Sequence, residues 1–346
     1  MGARRSIPAF PATCSASHRG GRPFASKCPI TTSPGSSERI EAPGRPGKPR
    51  KHDKMRELEG KIAIVTGASR GIGEATAERL ASAGAIVIAA ARTVGDENDP
   101  QIDTLAYTVA QIRSRGGEAY AYALDLSKPE SRAEFMDAVL ERFGRVDLLV
   151  NNAGIAGLGT KSWDMLDKHF RRVFEIDVFA PRDLMIRALP GMLERGYGRV
   201  VNVSSTVADR AAPNIDGPPF LDFHSGGGVS AYCSAKSALN LFTRVFAAEV
   251  HGKGVSANLV SPVNSVMTRG TKELVAKGVV NMDRIKSPED PETMAEAILA
   301  LLVADPETVN GRTTYSGQFL AEVGREVRGR DGEAFDAKVT VASVAY

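Results

Sequence analysis

The chain is poor in cysteine, in aromatic residues and in long apolar runs, and the first and last of these shortages each exclude a class of protein. Its 346 residues include three cysteines and one tryptophan, and aromatic residues make up 6% of the total. Three cysteines cannot build a disulfide framework, so a reducing compartment fits this chain. No apolar run reaches the roughly 18 residues that a membrane-spanning helix needs. The composition predicts a cytoplasmic globular protein with no membrane segment.

Basic residues outnumber acidic residues only in the first 54 residues. Residues 1–54 hold 11 Lys plus Arg against 3 acids, and the remainder holds 33 against 38. The body is therefore mildly acidic, and no nucleic-acid partner is expected. Segment 1–54 has a disorder-like composition without periodicity, and three interpretations stay open. It is a translation start placed upstream of the natural one at Met55, a transit peptide for an organelle, or a disordered tail.

After Met55 the sequence alternates between short apolar runs and helical periodicity. Runs that are apolar throughout are typical of parallel strands buried on both faces. We therefore predict an α/β fold in one domain over residues 55–320, with a C-terminal tail over 321–346. The expected architecture is a doubly wound parallel sheet of about seven strands with helices on both faces. The predicted strands cover residues 62–65, 85–89, 119–124, 146–151, 199–204, 255–260 and 313–316, and the predicted helices cover 74–83, 103–115, 130–142, about 165–193, 231–251 and 291–304.

A glycine-rich loop follows the first predicted strand and opens the first helix. It reads Thr-Gly-Ala-Ser-Arg-Gly-Ile-Gly over residues 66–73. Glycines let the backbone approach a pyrophosphate, and the helix N-terminus offers unpaired N–H groups to that anion. A tight turn without a ligand is the alternative. The loop residues expected to bind a dinucleotide are Gly67, Ser69, Arg70, Gly71, Ile72 and Gly73.

Tyr232 and Lys236 stand four positions apart in a predicted helix. Side chains at this spacing share one helix face, so an ammonium lies beside a phenol. A neighbouring cation favours the phenolate and helps a tyrosine to exchange protons near neutral pH. A solvated helix face is the alternative for a pair that chance supplies often.

Three motifs in order resemble the short-chain dehydrogenase/reductase family. They are the glycine loop of residues 66–73, Asn-Asn-Ala-Gly over 151–154 after the fourth strand, and the pair Tyr232 and Lys236. The resemblance covers residues 58 to about 316. It implies a Rossmann fold and an oxidoreductase that interconverts a secondary alcohol and a ketone with NADP(H) or NAD(H), without a metal.

The resemblance also implies the site residues. Tyr232 would be the proton donor in reduction, Lys236 would support it and hold the nicotinamide ribose, and Ser205 would bind the substrate oxygen. Ser204 competes with Ser205 for that role. The cofactor contacts implied beyond the glycine loop are Asp125, Leu126, Asn151, Ala153, Gly154, Tyr232, Lys236, Pro262 and Val263.

The end of the second strand favours NADP(H) over NAD(H). An acidic residue there would bind the ribose hydroxyls of NAD, whereas an arginine accommodates the 2′-phosphate of NADP. The strand ends at Arg92 without an acid, and Arg70 supplies a second cation. Either arginine could instead be exposed, and Asp96 or Glu97 could fold back toward the ribose.

The sequence departs from the family pattern at three places. Asp177 stands where the family has an asparagine that helps to relay protons to the lysine, which predicts an altered relay. Ser205 and Tyr232 are separated by an unusually long segment, so residues 206–230 form either a lid beside the substrate or a surface excursion. Val263 replaces a glycine after the sixth strand, which puts cofactor contact by Val263 and Thr268 in doubt. Residues 264–282 would form the other pocket wall.

Two other functions stay open at this point. A non-catalytic dinucleotide-binding redox sensor or scaffold would explain Asp177 and Val263 as signs of lost catalysis. A sugar-nucleotide epimerase or dehydratase also uses a Tyr-x-x-x-Lys motif, but it carries a different glycine loop. By resemblance the protein is expected to be a homodimer or homotetramer that acts on a small alcohol or ketone.

Overall fold

The computed structural model describes five stretches of the chain, namely residues 56–99, 101–156, 160–210, 229–276 and 287–337. The predicted extension 1–54 lies outside these residues. Most of the segment 206–230 and part of the predicted pocket wall 264–282 also lie outside them.

The described strands form one parallel sheet in the order β3-β2-β1-β4-β5-β6-β7. The order reverses direction between β1 and β4, and in open α/β sheets this point leaves a crevice at the carboxyl ends of the strands. The predicted fold class is confirmed. The strands are β1 (Ile62–Thr66), β2 (Ile86–Ala91), β3 (Glu118–Ala123), β4 (Leu148–Asn151), β5 (Gly198–Val203), β6 (Val255–Ser261) and β7 (Thr313–Tyr315).

Helices alternate with the strands, as the parallel arrangement requires. None in the described ranges is both long and apolar enough to cross a bilayer. The helices are α1 (Gly71–Ser82), α2 (Leu105–Ser114), α3 (Pro129–Phe143), α4 (Asp167–Phe174), α5 (Ala180–Arg195), α6 (Val207–Arg210), α7 (Ser230–Glu249), α8 (Arg269–Ala276), α9 (Pro291–Val303) and α10 (Ser316–Glu322).

Alternate residues of β1 enter two separate apolar cores. Ala63 and Val65 pack with residues of α1, α2 and α9 on one face of the sheet. Ile62 and Ile64 pack with residues of α3, α5 and α7 on the other face. Every β1 side chain is buried, which explains why the strand is apolar throughout and not alternating.

One wide turn interrupts the long helix predicted over residues 165–193. Residues Glu175–Phe179 form a π-helical turn between α4 and α5. Pro181 has no N–H to donate to the carbonyl four residues earlier, which belongs to Asp177, and this loss favours a wider turn. The helix predicted over about 165–193 is present over 167–195, and the sequence did not predict its π-helical turn at the segment that carries Asp177.

The chain continues to pack on the sheet domain after residue 320. Val327 is buried. Arg325 pairs with Glu57 and with the buried Glu296 of α9. Arg330 lies within ion-pair distance of Glu74 and Glu78 on α1 and of Glu292 on α9. Residues 323–337 thus form ion pairs with both α1 and α9. The predicted domain limits stay a prediction.

Candidate active site

The glycine loop makes a tight turn at the start of α1 that requires glycine. Gly67 and Gly71 have φ angles of +68° and +63°, which favour glycine. A Cβ atom at Gly73 would lie 2.2 Å from the carbonyl oxygen of Gly67. Arg70, the residue before α1, places no capping side chain on the first helical N–H groups. These amides fit the pyrophosphate of a dinucleotide, which needs close backbone approach and unpaired N–H donors.

Thr66 joins the glycine loop to the end of β4. Its hydroxyl oxygen accepts hydrogen bonds from the backbone N–H groups of Asn152 at 3.0 Å and Ala153 at 3.2 Å. The side-chain amide of Asn152 in turn donates to the carbonyl of Thr66 at 2.9 Å. The predicted residues Ala153 and Gly154 are thereby held beside the loop. Sequence reasoning missed Thr66 as a site residue, although it heads the glycine motif.

Asn151 begins a chain of buried amides that crosses from β4 to α7. Its amide nitrogen donates to Asn202 on β5 at 2.8 Å, and Asn202 donates to the hydroxyl of Thr243 at 2.7 Å. The side-chain oxygen of Asn151 is buried and has no hydrogen-bond partner. Buried acceptors usually have a partner, so this unpaired oxygen is a reason to keep Asn151 among the candidate cofactor-binding residues.

Tyr232 and Lys236 lie on one face of α7, as the spacing predicts. The ammonium nitrogen of Lys236 is 5.7 Å from the centre of the Tyr232 ring. Lys236 is buried and donates a hydrogen bond to the carbonyl of Val203 at the end of β5, at 3.0 Å. Tyr232 is half-buried, in contrast to the buried Lys236.

Asp177 reaches Lys236 from the π-helical turn. Its Oδ2 atom lies 3.5 Å from the Lys236 ammonium, and the Asp177 side chain is completely buried. Its Oδ1 atom accepts a hydrogen bond from the Ile155 N–H at 2.9 Å. Burial raises the pKa of the Asp177 carboxyl, while the charge of Lys236 and the Ile155 amide act in the opposite direction. The residue that departs from the family pattern is thus in direct ionic contact with the predicted catalytic lysine.

Gly154 closes the space around this ion pair. A Cβ atom there would lie 3.2 Å from Asp177 Oδ2 and 3.3 Å from the ammonium of Lys236. Both distances are shorter than ordinary van der Waals contact, so any larger residue would push on the pair. This explains why a glycine suits the end of the predicted Asn-Asn-Ala-Gly motif.

The two serines after β5 differ in their surroundings. Ser204 is buried, and its hydroxyl donates to the side-chain oxygen of Asn240 at 2.5 Å. Ser205 is half-buried, and its hydroxyl oxygen accepts one long contact from the Val207 N–H at 3.5 Å. Ser205 therefore has the freer hydroxyl for a substrate oxygen. Sequence reasoning left this choice to the family pattern.

The predicted adenosine end lies at the carboxyl ends of β2 and β3. Asp125 accepts hydrogen bonds from the Ser127 hydroxyl at 2.6 Å and from its N–H at 3.1 Å. The hydroxyl bond is the main cause that lowers the pKa of the Asp125 carboxyl, and the Ser127 amide and the charges of Lys128 and Arg92 add to it. Leu126 is buried beside this carboxylate. Arg70 and Arg92 are both exposed.

The segment after β6 leads from the sheet to the glycine loop. Val263 is buried and does not have a positive φ; among the described non-glycine residues only Asp103 and Ser287 do. The glycine that the family has at this place is therefore not needed for the backbone path seen here. Further along, a Cβ atom at Gly71 would lie 3.1 Å from the Thr268 methyl group. Pro262, Val263 and Thr268 thus connect the end of β6 with the cofactor loop.

Glu289 is a buried carboxyl that sequence reasoning did not place at the site. It follows Ser287 and Pro288 and precedes α9, a pattern typical of an exposed helix start. The Glu289 side chain accepts hydrogen bonds from the Val263 N–H at 3.2 Å and from the Ser316 hydroxyl at 2.8 Å. Burial raises its pKa to about 7, against the effect of these hydrogen bonds and with a contribution from Asp290.

Replacing Glu289 with Gln is expected to make the protein more stable than wild type as pH rises. The raised pKa means that the stability contributed by Glu289 is fully present below its ordinary pKa of 4.5 and is lost as pH rises through about 7. A shift of this size corresponds to about 3 kcal/mol, and Gln removes the ionisation. Thermal unfolding of both proteins between pH 5 and 8 measures it. A stability difference that does not change with pH would contradict the prediction.

Comparisons with known proteins match this chain to dehydrogenases and other oxidoreductases. The family described as short chain dehydrogenase matches residues 61–218. A short chain dehydrogenase of Pseudocercospora fijiensis is 33% identical over 291 residues, covering 80% of this chain and 86% of the relative. The 7alpha-hydroxysteroid dehydrogenase of Escherichia coli K12 is 29% identical over 271 residues, covering 77% and 96%. A crystal structure of a metagenomic short-chain oxidoreductase in complex with NADP is 28% identical, with a TM-score of 0.58 and coverage of 75% and 98%.

Proposed function

The chain belongs to the short-chain dehydrogenase family, and from this membership we propose that it interconverts a secondary alcohol and a ketone, with Tyr232 as the acid–base group. Hydroxysteroid dehydrogenase, the name of the Escherichia coli relative, supports a hydroxyl-bearing substrate. The observation that carries the residue assignment is the buried contact of Lys236 with Asp177 and with the end of β5, directly beside Tyr232. This contact lies at the carboxyl edge of the sheet, where the glycine loop also lies.

Each residue at this edge has a different role in the reduction of a ketone. When bound, a nicotinamide cofactor supplies the hydride that the carbonyl carbon receives. Tyr232 delivers the proton to the carbonyl oxygen, and Ser205 donates a hydrogen bond to the same oxygen. Lys236 stabilises the phenolate that Tyr232 then becomes. In oxidation Tyr232 takes the proton instead.

Asp177 is the ionic partner of Lys236 at the place where the family has an asparagine. An ionised carboxylate accepts hydrogen bonds but cannot donate them. Asp177 therefore helps to fix the position of the Lys236 ammonium between β5 and the π-helical turn. The proton relay that we propose differs from the family pattern at this residue, because its partner is a charged acceptor.

Turnover of the full-length chain tests the proposed function directly. Purified protein is mixed with NADPH and a panel of ketones, and loss of NADPH absorbance is followed. Oxidation of NADPH by at least one ketone is expected. Tight NADPH binding without oxidation by any ketone would instead favour the redox sensor or scaffold.

We propose that NADP(H) is preferred because two exposed arginines flank the adenosine end. Arg92 follows β2 and Arg70 precedes α1, and Arg92 is near enough to help lower the pKa of the Asp125 carboxyl. No carboxylate within 4 Å occupies either guanidinium among the described residues. Guanidinium groups bind phosphate through paired N–H donors, so both are suited to a 2′-phosphate.

Replacing Arg92 or Arg70 with Ala is expected to weaken NADPH binding about 10-fold each, because one charge-assisted contact is lost. NADH binding should stay within about twofold, since NADH carries no 2′-phosphate. Lys253→Ala is the control, because Lys253 is exposed and precedes the amino end of β6. Cofactor titrations by fluorescence measure both affinities. An equal loss for NADPH and NADH would contradict the assignment.

A homodimer or homotetramer also stays a proposal. Helices α5 and α7 expose four large apolar side chains, which suit burial against another subunit. Sedimentation of the full-length chain measures the assembly. The four exposed apolar residues are Ile186, Leu193, Leu241 and Val245.

The cytoplasmic location expected from the composition likewise stays a prediction, which microscopy of tagged protein would check.

A further inference from the structure

Glu289 is the best-buried carboxylate at the sheet edge that the proposed chemistry does not use. Its residue is 1% exposed. No Lys, Arg or His of the described residues lies within ion-pair distance of it, whereas the equally buried Glu296 pairs with two arginines. A buried carboxyl without a cation is costly, so its contacts need an explanation.

The contacts of Glu289 converge on one segment. The Val263 N–H, directly after β6, donates to its carboxyl at 3.2 Å. The Glu289 backbone continues the link, because its N–H donates to the Ser265 carbonyl at 3.1 Å and its carbonyl accepts from the Met267 N–H at 2.9 Å. Three of the five residues from Val263 to Met267 are thus hydrogen-bonded to Glu289.

The carboxyl is itself fixed from the opposite side. The Ser316 hydroxyl, at the start of α10, lies 2.8 Å from Oε1 and 2.9 Å from Oε2 of Glu289. Ser316 is completely buried. The carboxyl therefore bridges α10 to the segment after β6, and it satisfies a buried amide and a buried hydroxyl that have no access to water.

The position of this segment matters because it reaches the glycine loop. Thr268 follows Met267 directly, and its methyl group would lie 3.1 Å from a Cβ atom at Gly71. A displacement of residues 263–268 would therefore change the space beside the loop that is proposed to hold the cofactor. The segment leaves β6 at the carboxyl edge, where the hydride is proposed to be transferred.

We propose that Glu289 is a positioning residue that holds residues 263–268 against the nicotinamide side of the cofactor site. The hydrogen bonds to Glu289, and not a local backbone turn, determine the path of the chain after Pro262. The inference rests on the proposed function for its cofactor readout. The path of residues 263–268 can be measured without any cofactor.

Two substitutions of similar size test whether Glu289 acts through its hydrogen bonds or only by filling space. Glu289→Gln keeps an oxygen for the Val263 N–H and offers an amide donor to Ser316, so the segment should stay in place. Glu289→Leu fills the same space but leaves the Val263 N–H and the Ser316 hydroxyl unpaired. Glu307→Leu is the matched control, because Glu307 is exposed and has no side-chain partner among the described residues.

Hydrogen exchange of the cofactor-free protein is the first measurement. Glu289→Leu is expected to speed exchange of the amides of residues 263–268 by about 10-fold or more, because their hydrogen bonds open more often. Glu289→Gln and Glu307→Leu should leave these rates within about threefold of wild type. Unchanged exchange in Glu289→Leu would overturn the proposal, whatever the protein binds.

Cofactor affinity is the second measurement, and it uses two ligands. Glu289→Leu is expected to weaken NADPH binding by about 10-fold, while binding of adenosine 2′,5′-bisphosphate, which lacks the nicotinamide, stays near wild type. Equal weakening of both ligands would overturn a specific role at the nicotinamide side. If wild-type protein binds neither ligand, the proposed function fails, and the exchange rates alone decide the role of Glu289.

Discussion

Replacing Tyr232 with Phe is expected to lower kcat by about 10² to 10⁴-fold, the range that removal of a positioned acid–base group produces. The substitution deletes one hydroxyl and keeps the ring on the face of α7 that Lys236 shares. The carbonyl oxygen then has no proton donor at the proposed place. The dissociation constant for NADPH should change by less than about threefold, since the ring contacts remain.

Steady-state turnover and cofactor titration of the same preparation separate these effects. Tyr120→Phe is the matched control, because its hydroxyl contacts Glu118 on the exposed side of β3 and not the crevice. Full turnover in Tyr232→Phe would remove Tyr232 from the mechanism. Loss of turnover together with loss of NADPH binding would assign it a role in binding.

The second large effect concerns Lys236. Replacing it with Met is expected to lower the free energy of unfolding by about 3 to 5 kcal/mol, because the completely buried Asp177 loses its cationic partner. Turnover should fall as well, since Tyr232 loses the neighbouring ammonium. Lys168→Met, an exposed lysine on α4, is the control and should leave both quantities nearly unchanged.

Adding Asp177→Asn to Lys236→Met separates stability from catalysis. The double substitution removes the buried charge, so most of the lost stability should return, while turnover should stay low. Denaturant unfolding and turnover of the four combinations form a double-mutant cycle. If Lys236→Met unfolds as wild type does, the ion pair contributes nothing to the fold. If the double variant regains turnover, Lys236 is not needed for the chemistry.

The pH dependence of Lys236→Met has a definite sign. Burial raises the pKa of the Asp177 carboxyl above its ordinary value of 3.8, and losing Lys236 removes an opposing influence. The stability tied to a raised carboxyl pKa is present below that ordinary value and is lost as pH rises. The deficit of Lys236→Met should therefore be larger at pH 8 than at pH 5.

Local patterns account for the fold and for the motif residues. Buried strands such as β1 and β4 are short apolar runs, and the sequence places each of them within about two residues of the observed bounds. Tyr232 and Lys236 share a helix face because the α-helical period fixes it. Both predictions depend on residues close together in the chain.

The features that the sequence could not predict depend on contacts between residues that are far apart in the chain. Glu289 lies 26 residues from Val263 and 27 from Ser316, so nothing in its own acidic surroundings indicates burial. The choice between Ser204 and Ser205 needs the position of Asn240, which is 36 residues from Ser204. The π-helical turn at Asp177 was missed because the apolar pattern continues through it, while Pro181 decides the backbone.

The ion pairs of the last described residues join parts of the chain that are far apart in sequence. Arg325 meets Glu57 across 268 positions, and Arg330 meets Glu78 across 252 positions. Glu78 is buried and is shared by Arg330 and Arg115, so losing Arg330 leaves this carboxylate with one of its two cationic partners. Losing Arg325 or Arg330 therefore removes a contact that ties the last described residues to the beginning of the folded body.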